Sequence, residues 1–188
     1  MPDTPEPEPT IGSPPGLAPA ADASVLLFPD GGRRISGTDL AGLLADHAQL
    51  RVLCDQLETF ADGLPLYPSL QDRLTLADRI ETATVAHVRT TNSFLGRFFT
   101  GSEQRTTRSI LARILSRQIS DALHAEDTAD ILRSRSLNQA SIDMLSYMLR
   151  VLFEGARRAL DFEGLFLLSL GNTRLTGTAR ADLEGVLA

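Results

Sequence analysis

The stretch LSYMLRVLFEGARRALDFEGLFLLSL, residues 145–170, decides the fold of this chain. Its inward positions recur at alternating steps of three and four residues, the spacing that places side chains on one face of an α-helix. We therefore predict a long helix that buries this face against other helices. The stripe consists of Leu145, Leu149, Leu152, Ala156, Ala159, Glu163, Phe166 and Leu170.

Two earlier segments show the same periodicity. The first predicted helix begins near Thr38 and is stopped by Gly63 and Pro65. The second begins after Pro68 and ends near Gly101. Glycine just past a helix and proline shortly beyond it are the usual stop signals, so both boundaries have a local cause.

The remaining helices complete an all-α arrangement. A third helix is predicted from Ser102 to the loop at residues 133–135, and the capping-box spacing of Ser136 and Gln139 opens the fourth. A short last helix is predicted over Thr178–Leu187. Four long helices joined by short connections predict an up-down-up-down antiparallel four-helix bundle over residues 38–188.

The N-terminus has a different composition. Residues 1–24 hold seven of the ten prolines and four acidic residues but no basic residue. Such a segment buries too little apolar surface to offset the entropy of ordering, so we predict a disordered acidic tail. Residues 25–37, with the apolar run VLLF at 25–28, are predicted to be an irregular segment packed over the bundle.

Composition excludes several classes of protein. The 188 residues carry a net charge of -6, which argues against nucleic-acid binding. One cysteine rules out a disulfide scaffold or a zinc ribbon and suits a cytoplasmic location. No apolar run approaches the roughly 20 residues that span a membrane. No nucleophilic triad is evident either, so we expect Cys54 to be a small core residue and the protein not to be an enzyme.

Four polar side chains lie at positions where a bundle core usually has leucine. All three histidines lie on the predicted inward stripes, and the fourth helix adds an acidic residue. Burying a carboxylate that has no partner is energetically costly. The pattern is therefore best explained if the four side chains meet in the interior. Imidazole and carboxylate suit iron, zinc or manganese. The alternative is that each is an ordinary hydrogen-bonded core residue. The four are His47, His87, His124 and Glu163.

Three segments resemble the bacterial hemerythrin-like (HHE cation-binding) family. They are DHAQLR at 46–51, LHAED at 123–127, and the run from 147 to 163 that ends RRALDFE. The resemblance implies a four-helix bundle with a di-iron site, to which the four polar residues above would contribute one ligand from each helix. Thr91, Thr128 and Ala159 stand where the family has further ligands.

These departures leave two functional interpretations. With so few ligands we do not expect dioxygen carriage at a di-iron centre. The favoured interpretation is a sensor or regulatory protein-interaction module with a degenerate metal site, with or without one bound metal. The alternative is one non-heme iron or zinc ion bound by His47, His87 and Glu163, with His124 as a fourth ligand and Asp121 assisting, for oxygen or redox sensing or metal handling.

Apolar residues at the ends of the second and fourth helices suggest further packing. Phe98 and Phe99, together with residues 165–170, are apolar on more than one side of their helices. A helix that is apolar all round is buried on several sides. Either the chain pairs with a protein partner or a second copy through this face, or its own terminal segments cover it.

Overall fold

Five helices account for most of the described chain. The computed structural model describes residues 33–66, 68–99, 102, 104–171 and 173–187. The all-α prediction is confirmed, with each predicted boundary within a few residues of the observed one. The predicted tail 1–24, and residues 25–32 of the irregular segment, lie outside the described residues. The helices are α1 (Gly37–Gly63), α2 (Leu70–Phe99), α3 (Arg105–Arg133), α4 (Gln139–Leu170) and α5 (Gly177–Leu187), with a 3₁₀ turn at Leu64–Leu66 after α1.

The four long helices form a closed ring. α1 and α3 each pack against both α2 and α4, which is the neighbour pattern of an up-down-up-down bundle. Ion pairs on the surface follow the same pairing: Arg157 of α4 lies 2.7 Å from Asp55 of α1, and Arg133 of α3 binds Glu81 of α2. The ring gives the bundle one shared interior.

Side chains just before two helices satisfy their free backbone N–H groups. The Ser36 side chain caps α1 by accepting from the backbone N–H of Asp39. The Asp39 side chain accepts from the backbone N–H of Ser36, which completes a capping box. Before α2, the Ser69 hydroxyl accepts from the backbone N–H of Asp72 at 3.1 Å.

The start of α4 differs from the prediction. The expected capping box between Ser136 and Gln139 is wrong, because Asn138 is the N-cap. Its side-chain oxygen accepts from the backbone N–H of Ser141 at 2.8 Å. Asparagine is at least as good an N-cap as serine, so the nearer residue takes the position and the helix begins at Gln139.

A layer of polar side chains divides the core into two apolar clusters. One cluster includes Leu57, Ile80, Ala129 and Leu145. The other includes Leu43, Phe94, Ile114 and Phe166. Five buried polar residues lie between the clusters along the helices, and we call them the polar layer: His47, His87, Thr91, Gln118 and Glu163.

Segments from both ends of the described chain cover one end of the bundle. Ile35 donates its N–H to the carbonyl of Arg174 at 2.8 Å, and Thr176 donates to the carbonyl of Ile35 at 2.9 Å. Ala179 and Leu183 of α5 pack into the same apolar cluster as Phe166. The chain's own terminal segments therefore cover this end of the bundle, and pairing with another protein or a second copy stays a prediction. None of the described helices has the length and apolar content that crossing a bilayer requires.

Candidate metal centre

The first contact joins α1 to α4. His47, 2% exposed, and Glu163, 5% exposed, follow from the apolar stripes of their helices, which turn both side chains inward. The Nε2 of His47 lies 3.1 Å from Oε2 of Glu163. The hydroxyl of Thr91 on α2 donates to the same oxygen at 3.4 Å. Two predicted site residues therefore meet.

His87 of α2 lies between two carboxylates. Its Nδ1 is 2.7 Å from Oδ2 of Asp46, and its Nε2 is 3.5 Å from Oε1 of Glu163. The carboxylate of Glu163 thus faces the Nε2 atoms of both His47 and His87. We call these four residues, Asp46, His47, His87 and Glu163, the His–carboxylate cluster.

The cluster favours separated charges. Burial by itself lowers the pKa of His87, but the hydrogen bonds and charges of Asp46 and Glu163 outweigh it and raise the pKa to about 9. Burial also acts to raise the pKa of Glu163, yet the hydrogen bonds of His47 and His87 lower it to about 2. Near neutral pH the cluster therefore holds an imidazolium beside a carboxylate.

Three residues of the cluster form a possible metal-binding group. Asp46, His47 and His87 each offer a ligand atom, and these atoms lie within 4.8 Å of one another. Glu163 adds a carboxylate in front of both imidazoles. Because Asp46 binds Nδ1 of His87, it can also act as an outer partner that aims Nε2, an arrangement common around metal-ligating histidines. His47, His87 and Glu163 offer two imidazoles and one carboxylate from three helices, a kind of donor set that iron or zinc uses.

The structure does not bring His124 to this cluster. It is half-buried between α3 and α4, where its Nε2 donates to the backbone carbonyl of Met148 at 3.1 Å. Asp121, the predicted assistant, accepts from Arg117 at 3.2 Å instead. The reason is the rotation of α3 about its axis, which turns Gln118 and Ala125 inward and leaves His124 half-buried beside α4.

At the three positions that differ from the hemerythrin-like pattern, the side chains make other contacts. Thr91 donates a hydrogen bond to Glu163. Thr128 donates to the carbonyl of His124 in its own helix, at 2.7 Å. Ala159 lines a cavity beside Glu163. None of these three residues supplies a carboxylate or an imidazole.

The sequence did not predict Asp46 or Gln118 as residues of the polar interior. Asp46 precedes His47 and lies toward α2, so only the packing of α1 on α2 shows its contact with His87. Gln118 had a signal, because it follows Ile114 by four residues and precedes Ala125 by seven. Those steps are helical, and they select a different face of α3 from the one that carries His124.

Cys54 lies in the apolar cluster as expected. It is fully buried, and burial raises the pKa of its thiol to about 11. Reactive cysteines need an accessible thiolate, so Cys54 serves as a small core residue.

Comparisons of the chain with models of known protein families, with curated proteins and with solved structures find no match.

Proposed function

We propose that this chain is a regulatory bundle that responds to a metal ion, binding one divalent transition metal through His47, His87 and Glu163. Asp46 orients His87 from behind. The proposal retains the resemblance to hemerythrin-like proteins and a cytoplasmic location, and it includes neither an enzymatic activity nor dioxygen carriage at a di-iron centre.

One observation supports this proposal above the others. The Glu163 carboxylate lies 3.1 Å from one imidazole nitrogen and 3.5 Å from another, inside a bundle interior from which water is largely excluded. Taking a carboxylate and two imidazoles out of water is costly, so a core that only needed filling would use leucine. A divalent metal ion would displace the proton of His87 and use all three donors.

Metal titration tests the proposal. We expect the full chain, purified without a histidine tag and treated with a chelator, to bind about one equivalent of Co²⁺ or Zn²⁺. Glu163→Gln, His47→Gln and His87→Gln should each weaken binding at least about tenfold, because each removes a donor. Asp46→Asn should also weaken binding, by about 10-fold to 100-fold, through the orientation of His87.

His124→Gln is the matched control, since it removes the one histidine outside the cluster. It should leave stoichiometry and affinity unchanged. Failure of the wild-type chain to bind metal at micromolar concentration would contradict the proposal. So would an equal loss of affinity in His124→Gln.

A second candidate function has its own observation. Asp46, Glu163 and both imidazoles already have partners within the cluster, so the interior can be stable without metal. In this alternative the bundle is a metal-free regulatory scaffold, and the same titration would show no bound equivalent. Its partner, another protein or a second copy of the chain, stays a prediction that the mass in size-exclusion chromatography measures.

A further inference from the structure

An apolar cavity of about 60 Å³ lies inside the bundle beside the polar layer. All four long helices contribute to its wall. The small side chains of Ala156 and Ala159 on α4 leave this space open, where larger residues would fill it. Most of the remaining wall is aliphatic or aromatic, and it includes Leu50, Leu57, Ile80, Val88, Leu152 and Phe162.

The polar groups of the inner wall are engaged within the protein or covered by it. Thr84 donates to the carbonyl of Ile80 at 2.8 Å, and Nε2 of His87 lies 3.5 Å from Oε1 of Glu163. The amide atoms of Gln118 have almost no accessible surface, so a guest in the cavity does not reach them. The cavity therefore offers a guest apolar contacts rather than hydrogen-bond partners.

A layer of side chains separates the cavity from the surface. Arg117 and Asp121 of α3 form an ion pair at 3.2 Å, and their side chains are 43% and 38% exposed. With Leu152 they line both the cavity and a surface groove of about 280 Å³ between α3 and α4. Arg117 also donates to the carbonyl of Gly155 on α4 at 2.9 Å, which holds its side chain across the seam. A guest that enters from the groove needs to displace only this layer.

We propose that the cavity binds one small apolar molecule of about two or three heavy atoms, such as a short hydrocarbon, which enters past the ion pair of Arg117 and Asp121. An engineered apolar cavity of about 150 Å³ stays dry and binds benzene, which corresponds to about 25 Å³ for each carbon atom. A cavity of about 60 Å³ holds two or three atoms at that scale. The guest leaves water and contacts the wall, so the hydrophobic effect and dispersion stabilise the bound state without a metal ion.

Ethane and methanol test the proposal, because the two molecules have nearly the same shape and differ in one hydroxyl group. The full chain is isotope-labelled, treated with a chelator and equilibrated with ethane under pressure. We expect saturable shifts of the Leu57 and Ile80 methyl signals in nuclear magnetic resonance spectra. Methanol should bind at least about tenfold more weakly, because its hydroxyl finds no partner in the cavity. The proposal fails if ethane gives no saturable shift, or if methanol binds as tightly as ethane.

Filling the cavity tests its position. Ala156→Leu places a larger side chain in this space, so ethane affinity should fall at least about tenfold. Ala140→Leu is the matched control, because Ala140 lies at the exposed start of the same helix and outside the cavity wall. It should leave ethane affinity unchanged, and undiminished ethane binding by Ala156→Leu would overturn the proposal. Metal titration of Ala156→Leu should give the wild-type result, which separates this site from the proposed metal centre.

A larger guest tests the size of the cavity in the wild-type chain, even if Ala156→Leu does not fold. Benzene exceeds the space available and should give no saturable shift of the same methyl signals. Benzene binding as tight as that of ethane would contradict a site of this size.

Arg117→Ala tests the entry route. The change removes the ion pair to Asp121 and the hydrogen bond to Gly155, so the line shape of the Ile80 methyl signal should report faster ethane exchange at nearly unchanged affinity. Arg108→Ala is the control, because Arg108 is exposed on α3 and lines neither the cavity nor the groove. No acceleration in Arg117→Ala, or an equal acceleration in both variants, would contradict this route.

Discussion

The two sides of the polar layer differ in how well their polar atoms are satisfied. Where α1, α2 and α4 meet, Glu163 accepts from His47 and Thr91 and faces His87, which is also bound to Asp46. On the side of α3, neither polar atom of the buried Gln118 amide has a hydrogen-bond partner among the described residues. One layer therefore combines a charge-balanced cluster with an unsatisfied amide.

This difference determines how much stability a substitution on each side should cost. The satisfied side holds its groups in place by mutual contact, so removing one member exposes the others to an unfavourable environment. The unsatisfied side loses little if its polar group is removed. Each prediction below tests the satisfied side.

The largest effect is expected for Glu163→Ala in chelator-treated protein. It leaves His87 without one of its two carboxylates and His47 without its partner, both in the interior. We expect the free energy of unfolding, measured by urea denaturation, to fall by about 3–5 kcal/mol. Glu154→Ala, an exposed position on the same helix, should change it by no more than about 0.5 kcal/mol. A loss below about 1 kcal/mol for Glu163→Ala would show that the carboxylate is peripheral.

The stability of the metal-free protein should fall as the solution becomes basic. Because the pKa of His87 is raised from 6.5 to about 9 on folding, its contribution is complete below 6.5 and is lost as pH rises through 9. Between about pH 6 and about pH 8.5 we expect a loss on the order of 2 kcal/mol in urea denaturation. This window lies below the ordinary pKa of a thiol, so Cys54 adds little.

His87→Gln supplies the control for this pH dependence. The variant is less stable at neutral pH, but its stability should be nearly constant over the same window because the titrating group is gone. A slope equal to that of the wild type would assign the pH dependence to other groups.

His124→Gln should have a smaller effect than either change. His124 is half-buried and makes one hydrogen bond to a backbone carbonyl, so its replacement should cost about 1 kcal/mol. The pH dependence attributed to His87 should remain intact. A loss as large as that of Glu163→Ala would place His124 within the buried network.

The smallest effect is expected for Thr91→Val. The substitution keeps the shape of the side chain and removes one long hydrogen bond to Glu163, at 3.4 Å. We expect a loss of about 0.5 kcal/mol in urea denaturation. Thr128→Val, whose hydroxyl bonds within its own helix, is the matched control and should leave the pH profile unchanged. A loss of several kcal/mol for Thr91→Val would make Thr91 a principal partner of Glu163.

Most of the fold could be predicted because the ends and the buried face of a helix depend on residues that are close together in the sequence. Glycine, proline and capping residues place the ends of α1 and α2, and the stripe of α4 identifies its buried face. The same local rules also predicted His47, His87 and Glu163 as inward residues, since each interrupts a regular apolar stripe. The structure buries all three polar side chains. In the middle of the α4 stripe the prediction is shifted, because Leu152, Ala156 and Ala159 are half-buried whereas Phe153 and Leu160 are buried.

The face of α3 could not be chosen in this way. Apolar residues surround that helix, and Leu115, Ile119 and Leu123 are all exposed. The periodicity predicted the face through His124, whereas packing against α2 and α4 buries Gln118 and Ala125 instead.

The sequence alone determined five helices, their order and three of the inward polar groups, because helical periodicity and capping act over a few neighbouring residues. Tertiary structure decided which groups touch: Asp46 behind His87, Glu163 before two imidazoles, and Gln118 rather than His124 beside the cavity. These contacts join residues far apart in the chain. They depend on the rotation of each helix about its axis, which only packing against neighbouring helices sets.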